Sequence, residues 1–199
     1  PVCPTVFGET ECVTDSLAQV EANVGVNKAN YYLERQIDHT IQIRANEVRH
    51  RRLITFKNKA QNNAWPKGSN RAYIRFYLPT AAKFSEIRLN QQLVETKDLV
   101  FSRENGRQVV GVLSETPVQA RTELELSYTL PYSQQTPFTY VFFDQKQPGA
   151  RETSPRIFLS HAPDLEPSLI APQAEVQGEV IVFNPSVSTG HTFVGATFE

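Results

Sequence analysis

From Tyr31 onward, apolar and polar residues alternate along the chain with a period of two, the pattern of a β-strand that buries one face. The clearest run has apolar residues at Leu124, Leu126, Tyr128 and Leu130 and polar residues at Glu123, Glu125, Ser127 and Thr129. Turn residues separate about ten such runs at intervals of about 8 to 12 residues. The pattern predicts an all-β fold, a β-sandwich of about ten short strands that is Ig-like or related.

Two pairs of neighbouring runs are predicted to form hairpins. Asn46 and Glu47 stand between the first two runs, at the position of a tight turn. Asn105 and Gly106 stand between two later runs, and this dipeptide favours the turn that joins antiparallel strands. Both pairs of runs are therefore expected to be hydrogen-bonded neighbours in one sheet.

A short helix is predicted before the first strand. Thr14 or Asp15 can cap its N-terminus, and Asn23 and Gly25 can end it. Its apolar face would consist of Leu17, Val20 and Val24. This segment is therefore expected to pack on the sandwich through one apolar side.

Two cysteines, Cys3 and Cys12, are separated by eight residues and lie in the N-terminal segment. They can form a disulfide or remain two free thiols that are close in sequence. The disulfide is favoured, because a loop that contains Pro4 and Gly8 has little else to hold it. A disulfide in turn indicates an oxidising compartment outside the cytoplasm.

The distribution of proline suggests three regions. Residues 1–24 hold the cysteine loop and the short helix, and residues 25–147 form the β-sandwich. Residues 148–199 are rich in proline and are expected either to extend the sandwich or to form a small subdomain. The prolines of this region are Pro148, Pro155, Pro163, Pro167, Pro172 and Pro185.

The charge of the chain favours neither nucleic acid nor a membrane as a partner. There are 20 Lys and Arg against 21 Asp and Glu, which gives a net charge of -1. The basic run Arg49, His50, Arg51 and Arg52 is interpreted as a solvated strand face.

No run approaches the roughly 18 apolar residues of a membrane span, so direct membrane insertion is not expected. Because the chain starts at Pro1 and contains no Met, we expect a fragment or a processed form.

No motif for catalysis, phosphate binding or metal binding is present. His39, His50, His161 and His191 have no ligand-like spacing, and they are expected to be strand-surface or loop residues. Glu123 and Glu125 lie about 7 Å apart on one strand face, where they form a polar surface rather than a catalytic pair. We therefore expect no enzymatic activity, no cofactor and no metal.

Two polar loops are the candidates for binding. One contains Asn62, Asn63, Trp65 and Lys67 and precedes Tyr73, and the other contains Asn27 and Lys28. An exposed Trp among amides could form a platform for a sugar or a peptide. Alternatively, Trp65 could cover the end of the sandwich, and this buried position is slightly favoured. The asparagines of the second loop are also typical of a hydrogen-bonded junction.

Three segments carry a resemblance to a known family: NVGVNKANYYLERQI, LITFKNKAQNNAWPKGSNRAYIRFYLP and YVFFDQKQPGA. Together, over residues 20–150, they resemble the C-terminal half of domain-of-unknown-function family 4012. The family consists of bacterial envelope proteins with a membrane anchor near the N-terminus. The resemblance implies an extracytoplasmic location and a membrane-anchored parent protein. It implies no activity and no catalytic residue.

The leading functional hypothesis is a non-catalytic extracytoplasmic module of a bacterial envelope protein, with a structural or binding role. It would be anchored through a region that this chain lacks, and its partner would be cell-wall polysaccharide or another envelope protein. The alternative is a carbohydrate-binding module centred on Trp65. A part of an enzyme that modifies a cell-wall polymer is the third hypothesis.

Overall fold

The computed structural model describes residues 3–7, 11–132, 136–147, 155–184 and 191–199, and they form two mixed β-sheets with a shared core. In chain order the strands are β1 (Cys12–Asn23), β2 (Leu33–Ile43), β3 (Glu47–Asn58), β4 (Asn70–Leu78), β5 (Lys83–Leu89), β6 (Gln92–Leu93), β7 (Leu99–Glu104), β8 (Arg107–Thr116), β9 (Arg121–Pro131), β10 (Phe138–Gln145), β11 (Arg156–Ser160), β12 (Pro167–Ala171), β13 (Glu175–Gln177), β14 (Val180–Phe183) and β15 (Thr192–Phe198). Short 3₁₀ turns cover Thr5–Phe7, Ala29–Tyr32 and Thr96–Asp98. The prediction of an all-β sandwich is confirmed.

Sheet A contains seven strands in the order β12-β15-β10-β1-β4-β8-β7. Sheet B contains eight strands in the order β13-β14-β11-β2-β3-β9-β5-β6. Most neighbours are antiparallel, but β1 pairs with β10 and β2 pairs with β11 in parallel. The last quarter of the chain therefore supplies strands to both sheets.

The alternating runs of the sequence appear as strands with one buried face. In β9 the apolar residues at positions 124, 126, 128 and 130 all face the core, and the residues between them lie on the outer face. Both predicted hairpins are confirmed, since β2 pairs with β3 and β7 pairs with β8. In the second hairpin, Asn105 and Gly106 have φ of 50° and 71°, which places both turn residues in the left-handed region.

The predicted helix over Leu17 to Val24 is wrong, because residues 12–23 form β1. This strand lies inside sheet A, between β10 and β4. Residues 15–19 of β1 are all buried, because both faces of the strand are covered there, so its residue types do not alternate between apolar and polar. Pairing with two neighbouring strands outweighs the weak local preference for a helix. The helical turn Thr5–Phe7 precedes this strand instead.

The interpretation of residues 49–52 as one solvated face is also wrong. Arg49 and Arg51 are exposed on the outer face of β3, but His50 and Arg52 point into the core and are buried. His39 of β2 is buried as well, so a surface position is wrong for both strand histidines. The physical reason is the period of two, which sends successive side chains of one strand to opposite faces.

The disulfide between Cys3 and Cys12 is confirmed, with the two Cα atoms 5.8 Å apart. It ties the Thr5–Phe7 turn to the start of β1. Between the two cysteines, the Phe7 ring is buried against Val141 and Ala171. Gly8, Pro148 and Pro185 lie outside the described residues. In the described part of the chain, no helix is long and apolar enough to span a membrane.

Candidate functional site

Three connections meet at one end of the sandwich: residues 24–32, residues 59–69 and residues 117–120. The strand registers place them together, because Asn23 pairs with Ala72 and Leu33 pairs with Asn58. At the same end, Asn70 pairs with Thr116. Residues 59–69, called the Trp65 loop below, therefore lie between the other two connections.

Asn58, the last residue of β3, fixes the base of the Trp65 loop from inside. Its side-chain amide donates to the carbonyl of Gly68 at 2.9 Å and to that of Thr116 at 3.1 Å. Its side-chain oxygen accepts from the backbone N–H of Ala60 at 3.0 Å. Asn58 is buried, so these bonds form away from bulk water and constrain both ends of the loop.

A second asparagine joins the Trp65 loop to the connection before β2. The Asn27 amide donates to the Ser69 carbonyl at 2.9 Å, and its oxygen accepts from the Ala29 N–H at 3.1 Å. The Lys28 N–H donates to the Pro66 carbonyl at 2.8 Å. Gly68 has φ of +140°, and a Cβ there would lie 2.6 Å from the Asn27 amide nitrogen. Asn27 therefore has a structural role, as the hydrogen-bonded junction predicts.

Trp65 lies at the tip of this anchored loop and is 74% exposed. The prediction that its indole covers the end of the sandwich is therefore wrong. The loop does not need the indole for its own order, because Lys67 N–H donates to the Ala64 carbonyl at 2.9 Å. The Asn62 side chain also accepts from the Ala64 N–H at 3.1 Å. Local hydrogen bonds and Asn58 hold the backbone, and the aromatic ring remains available to solvent.

The structure brings most of the predicted binding residues together, but not all. Asn62, Asn63 and Trp65 are exposed on the same loop, and Lys67 is half-buried beside them. Lys28 is exposed on the adjoining connection. Tyr73 lies apart, on the outer face of sheet A, with its ring against Gly111 of β8. Since Gly111 pairs with Arg75, the Tyr73 ring extends away from the Trp65 loop.

The residues that sequence reasoning missed at this site are Asn58 and Gly68. Asn58 continues the inward series Ile54 and Phe56 of β3, so a polar residue stands where the pattern requires an apolar one. A polar residue at such a position needs buried hydrogen-bond partners. The sequence alone therefore contains the signal for Asn58, a polar residue at an inward strand position. The role of Gly68 depends on its contact with Asn27 and has no counterpart in the local pattern.

A second surface feature is a concavity of about 590 Å³ on the outer face of sheet B. Its side chains are polar and include Thr40, Gln42, Ser127 and Thr129. The two arginines in its lining already have acidic partners: Arg51 contacts Glu125 at 2.6 Å, and Arg49 contacts Glu47 at 2.5 Å. The charges of this surface are therefore nearly balanced. In contrast to the Trp65 loop, it presents no exposed aromatic ring.

Within the described ranges, no group of three or more His, Cys, Asp or Glu side chains is arranged to hold a metal ion. The Trp65 loop presents one flat apolar ring to solvent on a backbone that hydrogen bonds hold in place, with amide and ammonium side chains on the same loop and on the adjoining connection.

No protein-family model matches the chain, and no curated protein matches it. Among solved structures, the chain is similar to an M1 zinc metallopeptidase from Deinococcus radiodurans, with a TM-score of 0.44 and 10% identity over 82% of this chain and 42% of that one. It is also similar to yeast LTA4 hydrolase in complex with bestatin, with a TM-score of 0.45 and 7% identity over 88% of this chain and 31% of that one. The chain spans less than half the length of these proteins. A likeness of this degree carries no conclusion about its function.

Proposed function

We propose that this chain is a non-catalytic binding module of an extracytoplasmic bacterial envelope protein, and that the Trp65 loop binds carbohydrate of the cell wall or cell surface. The observation that carries the proposal is the exposed indole on a loop that Asn58 and Asn27 hold from below. An aromatic ring of this size at the surface is unfavourable in water, and a ligand that covers it removes that cost.

A sugar ring fits the chemistry around Trp65. The apolar C–H face of a pyranose can cover the indole, while its hydroxyl groups hydrogen-bond at the edge. Asn62 and Asn63 supply amide donors and acceptors there, and Lys28 and Lys67 supply additional donors. Because the loop backbone is already fixed by hydrogen bonds, binding requires little further ordering, and this favours affinity.

Two observations support the proposed location. The Cys3–Cys12 disulfide is of a kind that persists outside the reducing cytoplasm. The resemblance over residues 20–150 implies a bacterial envelope protein with a membrane anchor, which would tether this module through a part of the parent outside this chain. In this setting cell-wall glycan is the abundant polymer within reach.

The proposal is tested with the fluorescence of Trp65, the single tryptophan of the chain. We expect red-shifted emission from the native protein, because the indole is 74% exposed. Soluble glycan fragments of the bacterial wall should shift this emission to the blue and give a saturable titration. In calorimetry, Trp65→Ala should weaken binding by about 30-fold or more, which corresponds to about 2 kcal/mol for an anchor residue.

Val26 provides a matched control, because it is 99% exposed on a neighbouring connection at the same end of the sandwich. Val26→Ala should leave glycan affinity unchanged. Both variants should retain the stability of the parent to within about 0.5 kcal/mol, since neither side chain is buried. Wall-glycan binding that survives Trp65→Ala, or an indole that responds to no wall glycan, would overturn the proposal. If the indole responded to no wall glycan, the remaining hypothesis would be a structural role of this chain in the envelope.

A further inference from the structure

A group of polar side chains lies between the two sheets, where a β-sandwich normally has only apolar ones. The inter-sheet cluster consists of Asp15 and Gln19 of β1, His39 of β2, His50 and Arg52 of β3, and Tyr140 and Asp144 of β10. All seven residues are buried. Strands β1 and β10 belong to sheet A and β2 and β3 belong to sheet B, so the polar contacts of this cluster cross the interface that defines the fold.

One half of the inter-sheet cluster is an ion pair with balanced charge. The Arg52 guanidinium donates to both carboxylate oxygens of Asp144, at 3.0 and 3.3 Å. It also donates through Nε to the side-chain oxygen of Gln19 at 3.0 Å. These contacts pair the buried Arg52 guanidinium with a buried carboxylate and leave the ion pair with no net charge.

The other half is a chain of contacts through two histidines. His39 Nε2 and His50 Nδ1 are 3.1 Å apart, and His50 Nε2 lies 2.8 Å from Asp15 Oδ2 in an ion-pair contact. The Tyr140 hydroxyl donates to the same carboxylate oxygen at 3.1 Å. The His50 ring stacks on Tyr128 of β9 at 4.3 Å between centroids, and the His39 ring stacks on Phe142 at 4.5 Å. Packed aromatic rings thus hold both imidazoles in place.

The number of hydrogens that fit on the four ring nitrogens of His39 and His50 limits the positive charge of the pair. His50 Nε2 lies 2.8 Å from Asp15 Oδ2, too close for two facing lone pairs, and therefore carries a hydrogen, although the contact is not aligned as a hydrogen bond. The 3.1 Å gap between the rings accommodates one hydrogen, not two. The remaining nitrogen, His39 Nδ1, has no hydrogen-bond partner among the described residues. The rings can therefore share at most one extra proton, and that proton places an N–H without an acceptor in the core.

We propose that the His39–His50 pair makes the sandwich acid-sensitive, so that the folded state loses stability as the pH falls below the range in which free histidine is neutral. In the unfolded chain each ring takes up its own proton near pH 6.5. The folded pair takes up at least one proton fewer, so acid favours the unfolded state. This property is independent of any ligand at the Trp65 loop.

The surroundings of His39 also oppose its protonation in the folded state. Burial, and then the charges of His50 and Arg52, hold the pKa of His39 well below its usual value. The other ionisable groups at inward positions of the strands packed around the pair are Asp15 and Glu21 of β1, Arg35 of β2, Tyr128 of β9, and Tyr140 and Asp144 of β10. Glu21 and Arg35 form their own ion pair at 2.9 Å. Asp15 contacts His50 rather than His39, and Asp144 is engaged by Arg52. Neither carboxylate offers a direct contact to a proton on His39.

Because folding lowers the pKa of His39, its contribution to stability is lost on the acid side. A histidine whose pKa is lowered by folding contributes its full stability above about pH 6.5, where both states are neutral. The contribution decreases as the pH falls from that value towards the lower pKa of the folded state. Within this window, one proton of difference lowers the folding equilibrium constant about tenfold for each pH unit.

The test is urea-induced unfolding, followed by circular dichroism at several values between about pH 7.5 and 5. For the wild type we expect the folding equilibrium constant to fall about tenfold per pH unit below pH 6.5. His39→Gln should remove about one proton from this dependence, because the amide can turn its oxygen towards His50 Nδ1 and accept a hydrogen there, and the amide itself does not titrate. Val26→Ala, which changes an exposed side chain and no ionisable group, should leave the dependence unchanged. His39→Gln with the wild-type slope would overturn the proposal.

A second measurement on the wild-type protein keeps the proposal testable if His39→Gln fails to fold. The protonation of each imidazole can be followed by ¹⁵N NMR of the ring nitrogens. His39 should remain neutral in folded molecules at pH values at which an imidazole of the unfolded chain is protonated. A His39 ring that takes up a proton near pH 6.5 in a molecule that stays folded would overturn the proposal.

Discussion

Replacing Asn58 by Ala should destabilise the protein far more than replacing Asn62 or Asn63 of the Trp65 loop. The substitution removes three hydrogen bonds, to Gly68 O, Thr116 O and Ala60 N. Each such bond contributes about 1 kcal/mol, and a buried partner left unpaired costs about 1–3 kcal/mol. Asn58, Gly68 and Thr116 are all buried, so we expect a loss of at least about 3 kcal/mol.

The assay is thermal unfolding followed by circular dichroism, with Asn62→Ala as the matched control. For a domain of this size, about 3 kcal/mol lowers Tm by about 6–12 °C. Asn62 is exposed and makes one bond, to the Ala64 N–H, so its substitution should change stability by about 0.5 kcal/mol or less. Equal shifts of Tm for the two variants would refute the role that we assign to Asn58.

Two further predictions concern the sandwich itself. Leu126 is fully buried, and Leu126→Ala should lower the free energy of unfolding in urea by about 2–5 kcal/mol. Glu125→Ala, on the outer face of the same strand, should lower it by about 1 kcal/mol or less, because only the contact with Arg51 is lost. Equal shifts of the two unfolding midpoints would contradict the register of β9. Reduction of the Cys3–Cys12 disulfide should remove at most about 2–3 kcal/mol, because the closed loop is short. The far-UV spectrum should then be retained, and its loss on reduction would contradict this prediction.

The sandwich could be predicted from the sequence because most strands bury only one face. In β4 and β9 the period of two appears directly in the residue types, and the structure confirms the buried set. The period is absent in β1, where buried residues 15–19 include Asp15, Ser16 and Gln19. The partner of β1 in the parallel direction is β10, which begins more than 100 residues later in the chain. No local pattern contains that pairing, so residues 14–25 taken alone predict a helix.

The candidate site could be predicted only in part. The concentration of asparagine, lysine and glycine around Trp65 indicated the loop, and the structure brings Asn62, Asn63, Trp65 and Lys67 together there. The exposure of the indole could not be predicted, since it depends on Asn58 and Asn27 supporting the backbone in place of the ring. Tyr73 was assigned by proximity in sequence. Its position in β4 instead directs the ring along the outer face of sheet A.

The polar residues at inward positions of β2 and β3 connect the fold to its proposed acid sensitivity. His39, His50 and Arg52 occupy positions whose neighbours in the same inward series include Ile41, Val48 and Ile54. A buried ion pair seldom stabilises a fold more than apolar side chains of similar volume would. Net stability therefore does not account for the inter-sheet cluster, because an apolar core at these positions would satisfy the same packing without desolvating charges. Acid sensitivity does depend on these residue types, because an apolar core takes up no proton in the folded or the unfolded state.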